Sequence, residues 1–335
     1  MQYDQSVLTK TEKRIFALRT LYSKYSYSPY RMSKFAEYDL YSRHKDFLLS
    51  DRVIAFTDTN GKLKALKPDV TLSLVENSKD EPQKLQKLYY DENVYRVSDC
   101  TNSFREIMQM GLECIGAVDR DCVSEVIKLA AESLNLVAEG ADTVLLLSDQ
   151  DILTLTVDAL TDSKSVKEEL LKLAGEKNLH EIEACCIRNE IDKALYSKFL
   201  ALLELHGEPD AVMPQLKELC QTEETMAVAL ELEDVLNDFS GTDLEKFLRL
   251  DFSLISDTGY YNGITFTGYI DGVPEQVLVG GQYDMLMKKL KKKSRAIGFA
   301  VYMDALSRLG RAAGNASIEY FYENAVAPFD EEEGE

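Results

Sequence analysis

From about Asp158 to Asp243 the chain is built of Leu, Glu, Lys and Ala at helical period, with breaks near Gly175, at Gly207 to Pro209 and at Ser240-Gly241. Strand patterns stand on both sides of this stretch. A helical segment enclosed by strands that need one another as partners restricts the chain to a single sheet interrupted by a helical insertion. The expected organisation is a sheet-bearing domain of residues 1–157 and 244–310, an insertion of 158–243, and a tail of 311–335 ending in "DEEEGE". That ending is too acidic and too poor in apolar residues to fold.

The flanking strands have their own signatures. "RVIAFTDTNGKLKALKPDV", from Arg52, alternates around Asn60-Gly61, a strong hairpin signal. Further strands are predicted at Lys87 to Val97, Glu106 to Gly116 and Thr143 to Ser148, and strand patterns return from Leu250 to Gly280. A helix is predicted from Arg120 to Asn135. Thr9-x-x-Glu12 forms a capping-box pattern ahead of Ile15, Leu18, Tyr22 and Tyr25, so an amphipathic helix opens the chain. The fold class is α+β, an antiparallel sheet flanked by helices.

Charge narrows the function. With 58 acidic against 38 basic residues the net charge is -20, which opposes attraction to nucleic acid or anionic membranes. The basic run Lys288 to Arg295 reads as a solvated loop in such a chain, and RNA binding as its less favoured alternative. There is no signal-like apolar segment and no membrane-length apolar run, so the chain reads as soluble and cytoplasmic. Cys100, Cys114, Cys122, Cys185, Cys186 and Cys220 are scattered, as expected of reduced thiols rather than a disulfide frame or zinc site. His44, His180 and His206 lie far apart, outside every polar constellation. No metal site is predicted.

The strand Ile107 to Gly116 is unusual. Alternation puts Met108, Met110, Leu112 and Cys114 on one face, an ordinary core face. The other face carries Ile107, Gln109, Gly111, Glu113 and Ile115, two polar groups flanking a glycine. Two more constellations occur in segments read as strands: Asp69 and Thr71 after Pro68, and Tyr260, Tyr261 and Tyr283 amid glycines in "GYYNGITF" and "GGQYD". Arg96 precedes the polar loop leading to Gln109. Taken singly, Asp69 fits a helix cap before Val70, Arg96 a surface charge, and the tyrosines aromatic core. Taken together they place polar groups on one sheet that need partners.

The motifs "FTDTNGKLKALKPDVT", "YYDENVYR", "MQMGLECIG", "DFSLISDTGYYNGITF", "VGGQYDMLM" and "AIGFAVYMDAL" occur in one order. Together they resemble the catalytic domain of histidyl-tRNA synthetase, a class II aminoacyl-tRNA synthetase fold, from the first helix to about Leu309. The resemblance implies a histidine pocket, with Asp69, Thr71 and Gln109 around the α-amino group and Glu113, Tyr261 and Tyr283 around the imidazole. Arg96 and Tyr260 border it. Gln109 and Glu113 stand four residues apart, roughly 13 Å along a strand, a span that accommodates free histidine.

The departures from the synthetase pattern matter most for function. Adenylation needs cations against the ATP phosphates. Here Ser98, Ser256 and Ala305 stand where that family has charged residues, Gln282 where it has arginine in "GGRYD", and Tyr302 where it has glycine. Only acidic sequence follows Leu309, where synthetases carry an anticodon-binding domain. A retained pocket with erased chemistry is similar to the synthetase-like regulatory subunits of ATP phosphoribosyltransferase. That resemblance implies no catalytic residues and no cofactor, and neither tRNA nor a membrane as partner. It implies free histidine as ligand and a short-form catalytic subunit as partner. It also implies a homodimer, formed near Tyr27 to Glu37, within a larger hetero-oligomer. A stand-alone histidine-activating ligase using Arg96 and Arg105 is the enzymatic alternative, and a pure scaffold the inert one.

Overall fold

Thr9 opens the first helix as predicted. Its hydroxyl accepts from the Glu12 amide while the Glu12 carboxylate accepts from the Thr9 amide, so two free helix-end donors are satisfied. The computed structural model describes residues 7–44, 48, 52–98, 102–255 and 260–309. The acidic tail, Ser256 and Cys100 therefore lie outside the described residues.

Helix α1 (Lys10–Lys24) is followed by β1 (Ser28–Pro29), β2 (Phe35–Glu37), α2 (Tyr38–Arg43), β3 (Ala55–Thr57), β4 (Leu63–Leu66) and α3 (Val70–Asn77). The long strands β5 (Gln86–Val97) and β6 (Phe104–Gly116) come next, then α4 (Arg120–Ala138), β7 (Thr143–Asp149) and α5 (Gln150–Leu160). Helices α6 (Lys164–Gly175), α7 (Leu179–Arg188) and α8 (Lys193–Leu203) lead to the two-residue β8 (His206–Gly207), and α9 (Pro209–Leu219) and α10 (Glu223–Asn237) follow. The chain returns through β9 (Leu248–Asp251), β10 (Asn262–Ile270), β11 (Leu278–Gln282), α11 (Asp284–Lys289) and β12 (Arg295–Tyr302).

Nine strands form the main sheet in the order β1-β5-β6-β12-β11-β10-β7-β9-β8. The sheet is mixed, where the sequence suggested an antiparallel one. β1 runs parallel to β5 and β7 parallel to β9. Parallel neighbours need a long crossover, and helices α5 to α10 supply it between β7 and β9. β8 lies within the helical stretch yet pairs with β9, so residues 158–243 are not wholly helical. The hairpin forms as predicted, with the Asp58 carboxylate accepting from the Asn60 and Lys62 amides and Gly61 at φ 77°. It belongs to a separate three-stranded sheet, β2-β4-β3.

One apolar cluster joins α1, α4 and the back of the sheet to Leu170, Ile182, Phe199, Leu216 and Leu232 of the helical stretch. A second cluster packs α3, α11 and Tyr90 on the opposite face. Strand β6 divides its side chains between the two, Met110, Leu112 and Cys114 to the first and Ile115 to the second. Cys114, Cys122, Cys185, Cys186 and Cys220 are free thiols. Among the described residues no helix is long and apolar enough to cross a membrane.

Candidate ligand-binding site

A cavity of about 340 Å³ opens on the face of the sheet that carries Gln109 and Glu113. This volume is within the range of small-molecule pockets, roughly 300–1,000 Å³. Asp69, Thr71, Arg96, Gln109, Glu113, Tyr260, Tyr261 and Tyr283 all line it. Five separate segments of the chain thus converge on one recess. His44, His180 and His206 do not line it.

The segment after Pro68 is a helix start rather than a strand. Asp69 is the N-cap of α3, its carboxylate accepting from the Leu72 amide at 2.7 Å. That cap keeps the Asp69 carboxyl at the cavity wall, where burial pushes its pKa up while Leu72 and the Arg96 guanidinium pull it down. Arg96 donates from Nε to the Pro68 carbonyl at 3.0 Å, which ties β5 to the turn before α3.

Glu113 is the hub. Its residue is 1% exposed, and its two carboxyl oxygens are held separately. Thr71 Oγ1 donates to Oε1 at 2.8 Å and Tyr283 Oη donates to Oε2 at 2.6 Å. Burial raises the Glu113 pKa to about 8, against the lowering effect of the two hydroxyls, and the nearby Asp69 carboxylate adds to the rise. A cationic partner placed against this carboxyl would favour its charged form. Gln109 is 3% exposed and lines the cavity, where its carboxamide can meet a ligand as donor or acceptor.

The glycines explain the geometry. Gly111 does not leave an open floor: the Tyr90 ring lies across it, and a β-carbon there would stand 2.6 Å from Tyr90 Oη and overlap the Phe299 carbonyl. Gly281 does the same for Tyr261, whose Cδ1 would be 2.8 Å from a β-carbon. Gly298, paired with Glu113 in register, provides the space that the carboxylate occupies, and a methyl group there would overlap Oε2. Tyr260 and Tyr261 meet edge to face at 4.6 Å, and Tyr260 lies 6.2 Å from Tyr283.

Three residues at this site were not found in the sequence. Tyr90 and Gly298 carry no polar signal; only their cross-strand register with Gly111 and Glu113 reveals them. Lys177 comes from the turn between α6 and α7 to the far end of the cavity, where Nζ donates to Ser253 Oγ at 3.2 Å. Its φ of 53° and its place in the helical stretch gave no hint of this.

A model of the histidyl-tRNA synthetase family matches residues 8–306 of the chain. The chain belongs to the histidyl-tRNA synthetase family. Curated relatives include an ATP phosphoribosyltransferase regulatory subunit of Oceanobacillus iheyensis, 25% identical over 287 residues, covering 85% of this chain and 70% of the relative. A subunit of the same name from Caldanaerobacter subterraneus subsp. tengcongensis is 29% identical, covering 74% of this chain and 66% of the relative. Among solved structures, an ATP phosphoribosyltransferase regulatory subunit/histidyl-tRNA synthetase from Bacillus halodurans superposes with a TM-score of 0.79 at 21% identity, covering 92% of this chain and 85% of that one. The ATP phosphoribosyl transferase (HisG:HisZ) complex from Thermotoga maritima gives a TM-score of 0.67 at 20% identity, covering 88% and 97%. The fold is therefore the class II synthetase-like one.

Of the residues expected to depart from the synthetase pattern, Gln282 and Ala305 lie outside the cavity lining and Tyr302 is part of it. Gln282 Oε1 accepts from the Ile264 amide at 2.9 Å and is packed against Gly263. Ala305 packs against the core in a short 3-10 turn, Ala305–Arg308. Tyr302 lines the cavity beside Gln109.

Proposed function

We propose that this chain is a non-catalytic regulatory subunit of ATP phosphoribosyltransferase that binds free histidine and reports it to a short-form catalytic subunit, in the first step of histidine biosynthesis. The observation that carries the reading is the hub at Glu113, a buried carboxyl held by two hydroxyls in a cavity that also contains Asp69 and Gln109. An imidazole N–H can replace one hydroxyl at Glu113, since a hydroxyl rotates freely and exchanges one partner for another. Asp69 suits the ammonium as a charge-assisted acceptor, and the Gln109 amide offers both a donor and an acceptor. The names of the curated relatives support the assignment to the phosphoribosyltransferase.

The cation set required for adenylation is depleted, with Gln282 and Ala305 in place of charge, so the protein needs its partner for catalysis. Membership of a synthetase family, with Arg96 in the cavity, favours one competing reading, a histidine-activating ligase. The homodimer expected near Tyr27 to Glu37 draws support from exposed aromatic surface there. Phe35 is 54% exposed and its ring meets Phe56 at 5.4 Å, beside exposed Leu63.

The test is co-expression with a short-form catalytic subunit, followed by phosphoribosyl-transfer assays with and without histidine. The reading requires a stable complex, inhibition by histidine, and no histidine-dependent pyrophosphate exchange by the isolated chain. Pyrophosphate exchange at a synthetase-like rate would establish the ligase instead.

A further inference from the structure

The two hydroxyls on Glu113 belong to two short elements that are also joined at their far ends. Thr71 stands in the first turn of α3, and Tyr283 is the N-cap residue of α11. Beyond α11, Lys292 turns back and places Nζ on the last carbonyls of α3, those of Val75 and Ser78, and on Ser78 Oγ at 3.0 Å. A lysine at a helix C-terminus satisfies free carbonyls and complements the helix dipole. Apolar contact completes the unit, with Val70, Leu72, Leu74, Val75, Leu286 and Met287 in one cluster. Helices α3 and α11 thus form a closed loop, fastened to the sheet at Glu113 at one end and locked by Lys292 at the other.

The outer face of this loop is the basic run. Six of the eight residues from Lys288 to Arg295 are Lys or Arg, in a chain of net charge -20. Three carboxylates stand beside it: Glu76 acts on Lys292, Asp80 accepts from the amides of Lys293 and Ser294 and from Ser294 Oγ, and Asp284 accepts from Arg295 and the Ala296 amide. Lys288, Lys291 and Lys293 are exposed, and none forms a salt bridge among the described residues. A local cationic face on an otherwise anionic protein orients an acidic partner, because every other approach is repelled.

We propose that this lysine face is the docking surface for an acidic patch on the catalytic partner, and that a ligand taking Glu113 from Thr71 or Tyr283 is felt there through the α3–α11 loop. The proposal rests on the regulatory-subunit reading and adds to it the surface and the route. Its physical requirement is a difference in ligand affinity between the docked and undocked arrangements, which competition for the Glu113 oxygens provides.

The test uses the full chain carrying Lys288→Gln, Lys291→Gln and Lys293→Gln together, and separately Lys292→Met. Affinity for the catalytic subunit is measured at several salt concentrations, and histidine binding to each isolated chain by calorimetry. The triple variant is expected to bind histidine like the wild type and the partner at least about tenfold more weakly, with a shallower salt dependence. Lys292→Met is expected to hold the partner normally while histidine inhibits the complex less. Unchanged partner affinity and salt dependence in the triple variant would overturn the docking surface and leave the regulatory reading intact. Failure of the wild-type chain to bind any catalytic subunit would remove both. Tight binding of a mixed-sequence RNA by the wild type, lost in the triple variant, would overturn the proposal in favour of nucleic acid.

Discussion

Glu113 on β6 and Gln282 on β11 are both buried polar side chains of the same sheet, and they are held in opposite ways. Gln282 accepts a hydrogen bond from a backbone amide, Ile264 N–H, which has no other role and nowhere to turn. Glu113 is held by the hydroxyls of Thr71 and Tyr283, each of which can rotate to another partner. A polar group fixed by backbone is part of the fold, whereas one fixed by hydroxyls remains available to a ligand. By this criterion the two positions differ in kind: Glu113 lines the recess with its oxygens on exchangeable hydroxyls, whereas Gln282 lies outside the lining and serves the structure.

Gly298→Ala should break the comparison most severely. Its methyl group would overlap Glu113 Oε2 and stand 2.5 Å from the Leu112 carbonyl, so the strand must shift. Overpacking of this sort costs about 1–3 kcal/mol, and the upper end is expected because backbone is involved. Urea unfolding should show that loss, and histidine binding should vanish with it.

Gln282→Leu separates stability from binding. It leaves the Ile264 amide buried without an acceptor, at a cost of about 1–3 kcal/mol. The melting temperature should fall while histidine affinity stays within about twofold. A loss of histidine affinity as large as that of a Glu113 variant would erase the distinction between the two side chains.

Glu113→Gln sharpens it through pH. Burial raises the folded pKa of Glu113 to about 8 from its ordinary value of 4.5. The folded state thus retains a proton that the unfolded state releases. The stability contributed by this group is fully present below about pH 4.5 and is lost as pH rises towards 8. In the unliganded variant the decline in melting temperature between pH 5 and pH 8 should be shallower than in the wild type. Asp149, raised to about 7 by burial, and Asp69, raised by the same cause, act in the same sense and remain as a residual slope.

Gly175→Ala is the smallest expected effect. Gly175 also lines the cavity, at the end of α6, but a β-carbon there meets only Ile255 at 4.0 Å. Alanine favours the helix, so stability should rise slightly or stay level, within about 1 kcal/mol by urea unfolding. Histidine affinity should not change.

The same contrast explains what the sequence could convey. The hairpin at Asn60-Gly61, the capping box at Thr9 and the split of β6 into an apolar and a polar face were legible because each depends on local pattern. The eight candidate residues were found by resemblance in order and wording, and they do line one cavity. Asp69 was read within a strand-like segment because a cap residue followed by Val-Thr-Leu-Ser-Leu carries high strand propensity, and the helix is fixed by packing of Val70, Leu72, Leu74 and Val75. The parallel pairings, and the roles of Tyr90, Gly298 and Lys177, depend on contacts between segments distant in sequence, which no local pattern encodes.

The central claim is that Glu113 holds a ligand and not merely the fold. Calorimetric titration of free histidine into the isolated chain and into Glu113→Gln tests it most directly. The account predicts one saturable site per chain in the wild type, with affinity reduced at least about tenfold in Glu113→Gln, the equivalent of about 1.4 kcal/mol or more for a lost charged hydrogen bond. Equal affinities for the two proteins, or no saturable binding of histidine by the wild type, would contradict it.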